Sequence, residues 1–218
     1  MLKIEIDAVD AAGKTTGLKY LVAKAKERGL SVVETREVGN PHVESCVKMR
    51  QLVLDPSNGL SGESMELIFS AMRMESEKWL NDLKNSPNTP DLVVSDRGFF
   101  SHLAYGKHNT SEFFVKGLFE DLVAKLTTLP DVVIYFKVDT EVAKQRMIGR
   151  GQTMDVIELK GPDFQARVRD SFEEYFKKYS NVSVFTVDAN QDIPGVQKQL
   201  DAILDEIEGT AMLLRENA

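Results

Sequence analysis

At 218 residues, 42% hydrophobic and 28% charged, the chain has the size and make-up of one globular α/β domain, with room for a mobile cover. A formal net charge of −7 speaks against a general nucleic-acid binder, and no apolar run approaches the roughly 18 residues that a membrane span needs. Cys46 is the single cysteine, so no internal disulfide can form, and His42, His102 and His108 lack the spacing of metal ligands.

In chain order, Leu2, Ile4 and Ile6 alternate with polar residues, which predicts a strand over residues 2–7. This N-terminus lacks the apolar block of a signal peptide, and with a lone cysteine it leads to the expectation of a reducing, cytoplasmic setting. Next comes IDAVDAAGKTT, whose Gly13, Lys14, Thr15 and Thr16 end like a phosphate-binding loop. Ala8 stands where the common form of that loop has its first glycine; the broader pattern accepts alanine there. Ala11 and Ala12 are small enough to leave the cradle open. Leu18, Leu21, Val22 and Ala25 then recur at helical spacing, and Gly29 marks the stop. Strand, loop and helix in this order give the loop its context. Backbone N–H groups of Ala11 to Thr16 and the helix N-terminus suit phosphate oxygens; Lys14 reaches the outer phosphates, and the Thr15 hydroxyl suits Mg²⁺. The competing reading is a chance match in a surface loop.

LSVVETREV is the second predicted strand, with Arg36 at its end. PHVESCVKMRQLVL reads as a helix opened by Pro41 and closed before Pro56. GESMELIFSAMRMESEKWLNDL reads as a long helix, on which Phe69 and Arg73 share a face. That pair could stack on a base and bond its edge, or could simply be core and surface. DLVVSD, a continuous apolar run between acids, predicts a strand buried on both faces. In SDRGFFSHLAYG after it, Asp96 suits an acid that reaches Mg²⁺ through water, and Arg97 a fork for phosphate; a loop-holding salt bridge is the plainer alternative. Residues 111–127 are predicted helical, DVVIYFKV is a further buried strand, and Arg146 and Arg150 stand four apart on a helix running into Gly151. Those two arginines suit a lid over about 146–160, or a solvated helix end. Helices through Val168 to Tyr179 and Ile193 to Ile207 flank the last strand, VSVFTVDA, and the tail after Gly209 is expected to fray. Five β-runs alternating with helices predict an α/β fold: a five-stranded parallel sheet with helices on both faces, like a P-loop NTPase, in a single domain over residues 1–218. Ligands of such sheets bind beyond the carboxyl ends of the strands.

AVDAAGKTT, TREVG, ELIFSAMR, SDRGFFSHLAYG, LPDVVIYFKVDTEVAKQRMIGRG, DVIE, FQARVRDSFEEY and VFTVDAN, in that order, resemble the thymidylate kinase family over roughly residues 2–207. The resemblance implies ATP as phosphate donor, Mg²⁺, a deoxynucleoside monophosphate acceptor, no nucleic-acid or membrane partner, and a homodimer. It implies that Lys14 and Thr15 serve the donor phosphates and the metal, with Asp96 beside the metal. It places Asp10 at the acceptor sugar, Arg36 and Arg97 at the acceptor phosphate, and Phe69 and Arg73 at the base. Ser101 and Tyr105 join the acceptor site, Tyr105 beneath the deoxyribose. Arg146 and Arg150 become the lid cations that assist catalysis beside Lys14 and Arg97.

The departures from the family pattern lie at Ala8 and Ala11, usually glycine, and at Val156, where an arginine is common; Lys160 is the remaining lid cation. TREPGG is reduced to TREVGN, and AYQ to AYG at Gly106. The last change removes a side chain expected near the base and leaves base preference open. Two rival activities remain at this stage: a deoxynucleoside kinase, which needs a base for an uncharged hydroxyl, and a nucleotide-binding module without transfer. Arg36, Arg73 and Arg97 together favour a charged acceptor.

Overall fold

A computed structural model describes residues 1–114, 118–149 and 157–216. The elements in order are β1 (Leu2–Asp7), α1 (Lys14–Glu27), β2 (Val32–Arg36), α2 (Glu44–Leu54), α3 (Gly62–Lys84), β3 (Leu92–Asp96) and α4 (Phe99–Asn109). A single turn, α5 (Glu112–Phe114), precedes α6 (Glu120–Leu126), β4 (Val132–Lys137), α7 (Thr140–Gly149), α8 (Pro162–Lys178), β5 (Ser183–Asp188) and α9 (Ile193–Glu216). The strands form one parallel five-stranded sheet in the order β2-β3-β1-β4-β5. The predicted architecture is therefore the observed one.

Burial follows the order. Every residue of β1 is buried, as are the first four of β3 and the first five of β4, and these three strands occupy the middle of the sheet. Strands β2 and β5 lie at the edges and keep exposed positions. Ile4, Ile6, Val133 and Ile134 are fully buried, and each such side chain contributes about 1.5–3 kcal/mol through burial. Helices α1 and α9 pack together on one side, and α4 and α8 on the other. A second cluster, under Cys46, Met65, Phe69 and Met72, joins α2 to α3.

Register sets the functional rim. Asp96 is level with Ile6 of β1 and with Arg36 of β2, and Asp7 is level with Tyr135 of β4. The carboxyl ends of β1, β2 and β3 thus finish together. The chain leaves β1 first toward β2 and β3, then crosses to β4 and β5. The topological switch lies at β1, where such sheets open a crevice.

Three expected boundaries move. Helix α2 begins at Glu44 rather than at Pro41, because the Asn40 side chain accepts from the His42 backbone N–H at 2.9 Å and holds a turn there. The His42 ring instead stacks on Trp79, 4.8 Å between centroids. The segment expected as one helix over 111–127 contains α5 and α6, with 115–117 outside the described residues. Helix α9 continues through Gly209 to Glu216, past the point where fraying was expected. Helix α4 has no counterpart in the periodicity: Phe99 to Ala104 are all buried, so no polar face marks its period.

Candidate active site

The loop between β1 and α1 is shaped for close approach by a ligand. Gly13, at the N-cap of α1, has φ 84, and Ala11 has φ 62. A left-handed alanine costs about 1–2 kcal/mol, a strain that persists where the surroundings impose it. Ala8, the residue that departs from the loop's usual first glycine, keeps a negative φ; among described non-glycine residues only Ala11 and Arg97 have φ above zero. The first glycine is therefore dispensable here, and Ala8 uses its carbonyl as an anchor for Arg97.

One cleft runs along the rim of the sheet. Lys14 and Thr15 line it from α1, Arg36 from β2, Arg50 from α2, Phe69 and Arg73 from α3, and Asp96 and Arg97 from the end of β3. Asp10, Ser101 and Tyr105 complete the expected set on its wall. Ala11, Ala12 and Gly13 form the loop side of the same space. Thr16 follows on the exposed first turn of α1.

Lys14 forms an ion pair with the Asp96 carboxylate. Burial, reinforced by the positive charge of Arg97 nearby, pushes the Lys14 ammonium down to about 6. An anion entering the cleft would favour the protonated form of Lys14. Arg97, itself at φ 69, is held on several sides. Its Nη1 donates to Ala8 O at 2.6 Å and to Ser101 Oγ at 3.3 Å, its Nη2 pairs with Asp10, and its guanidinium lies 4.7 Å from the Tyr105 ring centre. Ser101 in turn donates to the buried Asp7. Arg36 donates from Nε to Gly39 O at 3.0 Å. Burial lifts the Glu37 carboxyl to about 7, against the pull of Arg73.

Several residues at the site are given no role by the sequence. Gln165 of α8 donates to Asp10 Oδ2 at 2.7 Å, and its oxygen accepts from the Asp10 backbone N–H and the Tyr105 hydroxyl. It thereby fixes two expected acceptor-site residues at once. Arg50 donates to Val38 O at 2.5 Å and adds a further cation to the wall. Glu66 and His102 also line the cleft, next to Arg73. Glu66, His102 and Gln165 lie within the stretches that resemble the family, but polarity on a helix does not tell which way a side chain faces.

Arg146 stands apart from the expected group. Its Nη1 donates to Ala189 O at 2.9 Å, at the loop after β5, and it is not among the described residues lining the cleft. Gly13 is its neighbour across the phosphate loop: a Cβ there would lie 4.0 Å from Arg146 Nη1. Arg150 and Val156 lie outside the described residues. Beyond them, Ile157 lines the cleft, whereas Lys160 lies 5.3 Å over the Phe164 ring.

The space beside Gly106 is filled. A Cβ at Gly106 would sit 2.1 Å from Phe119 Cζ and 2.9 Å from Glu66 Oε2. The missing side chain is thus replaced by a ring and a carboxylate rather than by open space.

A site with this geometry can hold two phosphate chains end to end, one on the loop with Lys14 and one under Arg97 and its neighbours, with an aromatic wall at Phe69. Comparison with known proteins gives the same direction. The family described as thymidylate kinase matches residues 6–200. The chain is 30% identical to a thymidylate kinase of Pediococcus pentosaceus, covering 94% of this chain and 97% of that one. It is 28% identical to one of Campylobacter curvus over 89% and 95% of the two chains, and 28% identical to one of Nitrosospira multiformis over 91% and 94%.

Proposed function

The chain belongs to the thymidylate kinase family, and from that premise we propose that it transfers the γ-phosphoryl group of ATP to dTMP, giving dTDP and ADP. The observation that carries this reading is that Lys14 of the phosphate loop and Arg97 at the end of β3 line one cleft. Transfer of a phosphoryl group needs two phosphates in line and their charge neutralised. The acceptor oxygen belongs to a phosphate and is already deprotonated at neutral pH, so no general base is needed.

In this reading ATP lies on Ala11 to Thr16, with Lys14 at its outer phosphates. The acceptor phosphate meets Arg97, Arg36 and Arg50, its sugar lies by Asp10 and Tyr105, and its base lies between Phe69 and Arg73. Arg97 is fixed before the acceptor arrives, through Ala8, Asp10 and Ser101. That preorganisation spares the ordering cost of a long side chain. Arg146 stands next to Gly13 of the loop; of the lid expected over about 146–160, residues 150–156 lie outside the described residues.

Mg²⁺ suits the donor set. The Thr15 hydroxyl and Asp96 would hold the ion together with donor phosphates and water, since Mg²⁺ takes few protein ligands. Among the described residues no cluster of three acidic, histidine or cysteine side chains offers a dedicated metal cage. The ion would neutralise charge on the outer phosphates.

The test is ADP release with ATP and a panel of acceptors. Thymidylate is expected to drive release and thymidine to give none. Release with thymidine alone would make the protein a nucleoside kinase, and ATP binding without acceptor-dependent release would make it a binding module.

A homodimer is part of the same proposal. Helix α3 exposes Leu67 at 47% and Met74 at 53%, with exposed Ala71 on the same face. This is the surface on which a second copy would pack. Met74→Glu with Leu67→Glu is expected to convert a dimer to a monomer in sedimentation equilibrium. An unchanged mass would remove α3 from the interface.

No helix among the described residues is long and apolar enough to cross a membrane.

A further inference from the structure

The contact between α3 and α4 holds a buried polar chain that the transfer chemistry does not use. Arg73 Nε donates to His102 Nδ1 at 3.2 Å, and Arg73 Nη2 donates to Gly98 O at 2.9 Å. His102 Nε2 lies 3.2 Å from Glu66 Oε2, and Glu66 Oε1 accepts from Asn109 Nδ2 at 2.8 Å. Glu66, Arg73 and His102 are all at least nineteen-twentieths buried, at 1%, 1% and 5% exposure. The rings of Phe69 and Phe119 meet the imidazole edge-on, at 6.3 and 5.4 Å.

Chemistry fixes the protons along this chain. An arginine Nε always carries hydrogen, so His102 Nδ1 must be the acceptor. The neutral ring then carries its hydrogen on Nε2, facing the Glu66 carboxylate. Burial holds His102 below its ordinary pKa, in keeping with the neutral form. Nδ1 is therefore spent on Arg73, while Nε2 faces Glu66 Oε2 at 3.2 Å, within ion-pair reach but without a hydrogen bond of its own. Arg73 retains N–H groups on Nη1 and Nη2, and they can only donate. The small size of Gly106 makes the arrangement possible, because any Cβ there would strike Phe119 and crowd Glu66.

We infer that Glu66 and His102 are positioning residues that lock Arg73 as a donor-only reader of the acceptor base, selecting a 4-keto pyrimidine monophosphate over a 4-amino one. The inference rests on the reading above that places the base between Phe69 and Arg73. A keto oxygen accepts from the fixed guanidinium. An exocyclic amino group would set donor against donor and leave buried groups unpaired, which costs more than a missing contact. The selectivity thus comes from holding Arg73 in one orientation.

The test measures kcat and KM for dTMP, dCMP and ATP on the full chain. His102→Phe keeps a flat ring and removes both polar atoms. It is expected to raise the dTMP KM about tenfold, narrow the dTMP-to-dCMP ratio of kcat/KM, and leave the ATP KM in place. His102→Asn puts an oxygen near the Nδ1 position and is expected to recover most of the loss. His102→Gln keeps a donor toward Glu66 without that acceptor, and is expected to behave as His102→Phe does. If His102→Phe does not fold, the contrast between the asparagine and glutamine variants decides by itself. Equal KM and equal base ratio in those two would overturn the inference, as would a rise in dTMP and ATP KM together. Arg73→Ala separates the levels. If it alters the base ratio while the His102 variants do not, the locking is wrong and the base site stands. If it alters neither KM nor ratio, the base is not read at Arg73 at all, and both readings fall.

Discussion

Replacing Lys14 with alanine is expected to lower kcat for dTMP phosphorylation by about a thousandfold or more, with the fold intact. The side chain is the cation of the phosphate loop, nine-tenths buried and paired with Asp96. The developing charge on the transferred group has no equivalent partner once it is gone. The fold should survive for local reasons. Lys14 opens α1, and alanine is the best helix former. Asp96 remains 30% exposed, so water can replace its partner. The pKa of Lys14 gives a sign for stability. In the folded protein it lies at about 6, below the ordinary lysine value of 10.5. The unfolded chain therefore binds the proton more tightly between those two pH values, and stability gained from this group rises with pH across that window. Below 6 its cost to the fold is fully present. Lys14→Ala should accordingly melt no lower than the parent near pH 6 to 7, and any advantage should shrink as pH rises. A variant that kept most of its turnover would remove the loop from the chemistry.

Arg97→Ala carries the second large effect. We expect kcat/KM for dTMP to fall about a thousandfold, with the ATP KM moving less than about threefold. Two losses combine. The acceptor phosphate loses its fixed cation, and Asp10 loses the guanidinium that pairs with it. Gln165 still holds Asp10 from the other side, so the donor loop should keep its shape. Arg97→Lys should rescue little, because an ammonium cannot reach Ala8, Asp10 and Ser101 together as the planar fork does. Equal rises in the KM of dTMP and ATP would place Arg97 between the substrates rather than on the acceptor. The left-handed backbone at Arg97 makes Arg97→Gly a useful control. Glycine relieves that strain, so a similar kinetic loss with higher stability would assign the whole effect to the side chain.

The parts of this molecule legible in the sequence are those written in short-range pattern. The alternating run of β1 and the apolar runs of β3 and β4 announced a parallel sheet, and Gly13-Lys14-Thr15 after a strand announced a phosphate loop. Because the chemistry of such sheets collects at strand ends, Arg36, Asp96 and Arg97 could be singled out, and the strand register brings them to one rim. What stayed hidden depends on which way helices face. Helix α4 is buried through Phe99–Ala104, polar Ser101 and His102 included, and so lacks a solvent-facing period to detect. Arg50, Glu66 and His102 reach the cleft, and Gln165 reaches Asp10 on its wall, only because α2, α3, α4 and α8 pack with those faces inward. Gly106 removes a side chain expected near the base, and Phe119 and Glu66, from outside that motif, take the space. The alanine at position 8 departs from the common glycine. Its ordinary backbone shows that the strain in this loop is carried three residues later, at Ala11.

The central claim is that the loop cation and the β3 arginine grip two phosphate chains around one reaction centre. Inhibition by adenosine and thymidine joined through five phosphates tests it most directly. A single cleft predicts that this molecule competes with ATP and with dTMP alike, binds more tightly than either substrate, and loses affinity in both Lys14→Ala and Arg97→Ala. Competition with one substrate only, at an affinity no better than that substrate's own, would contradict the account.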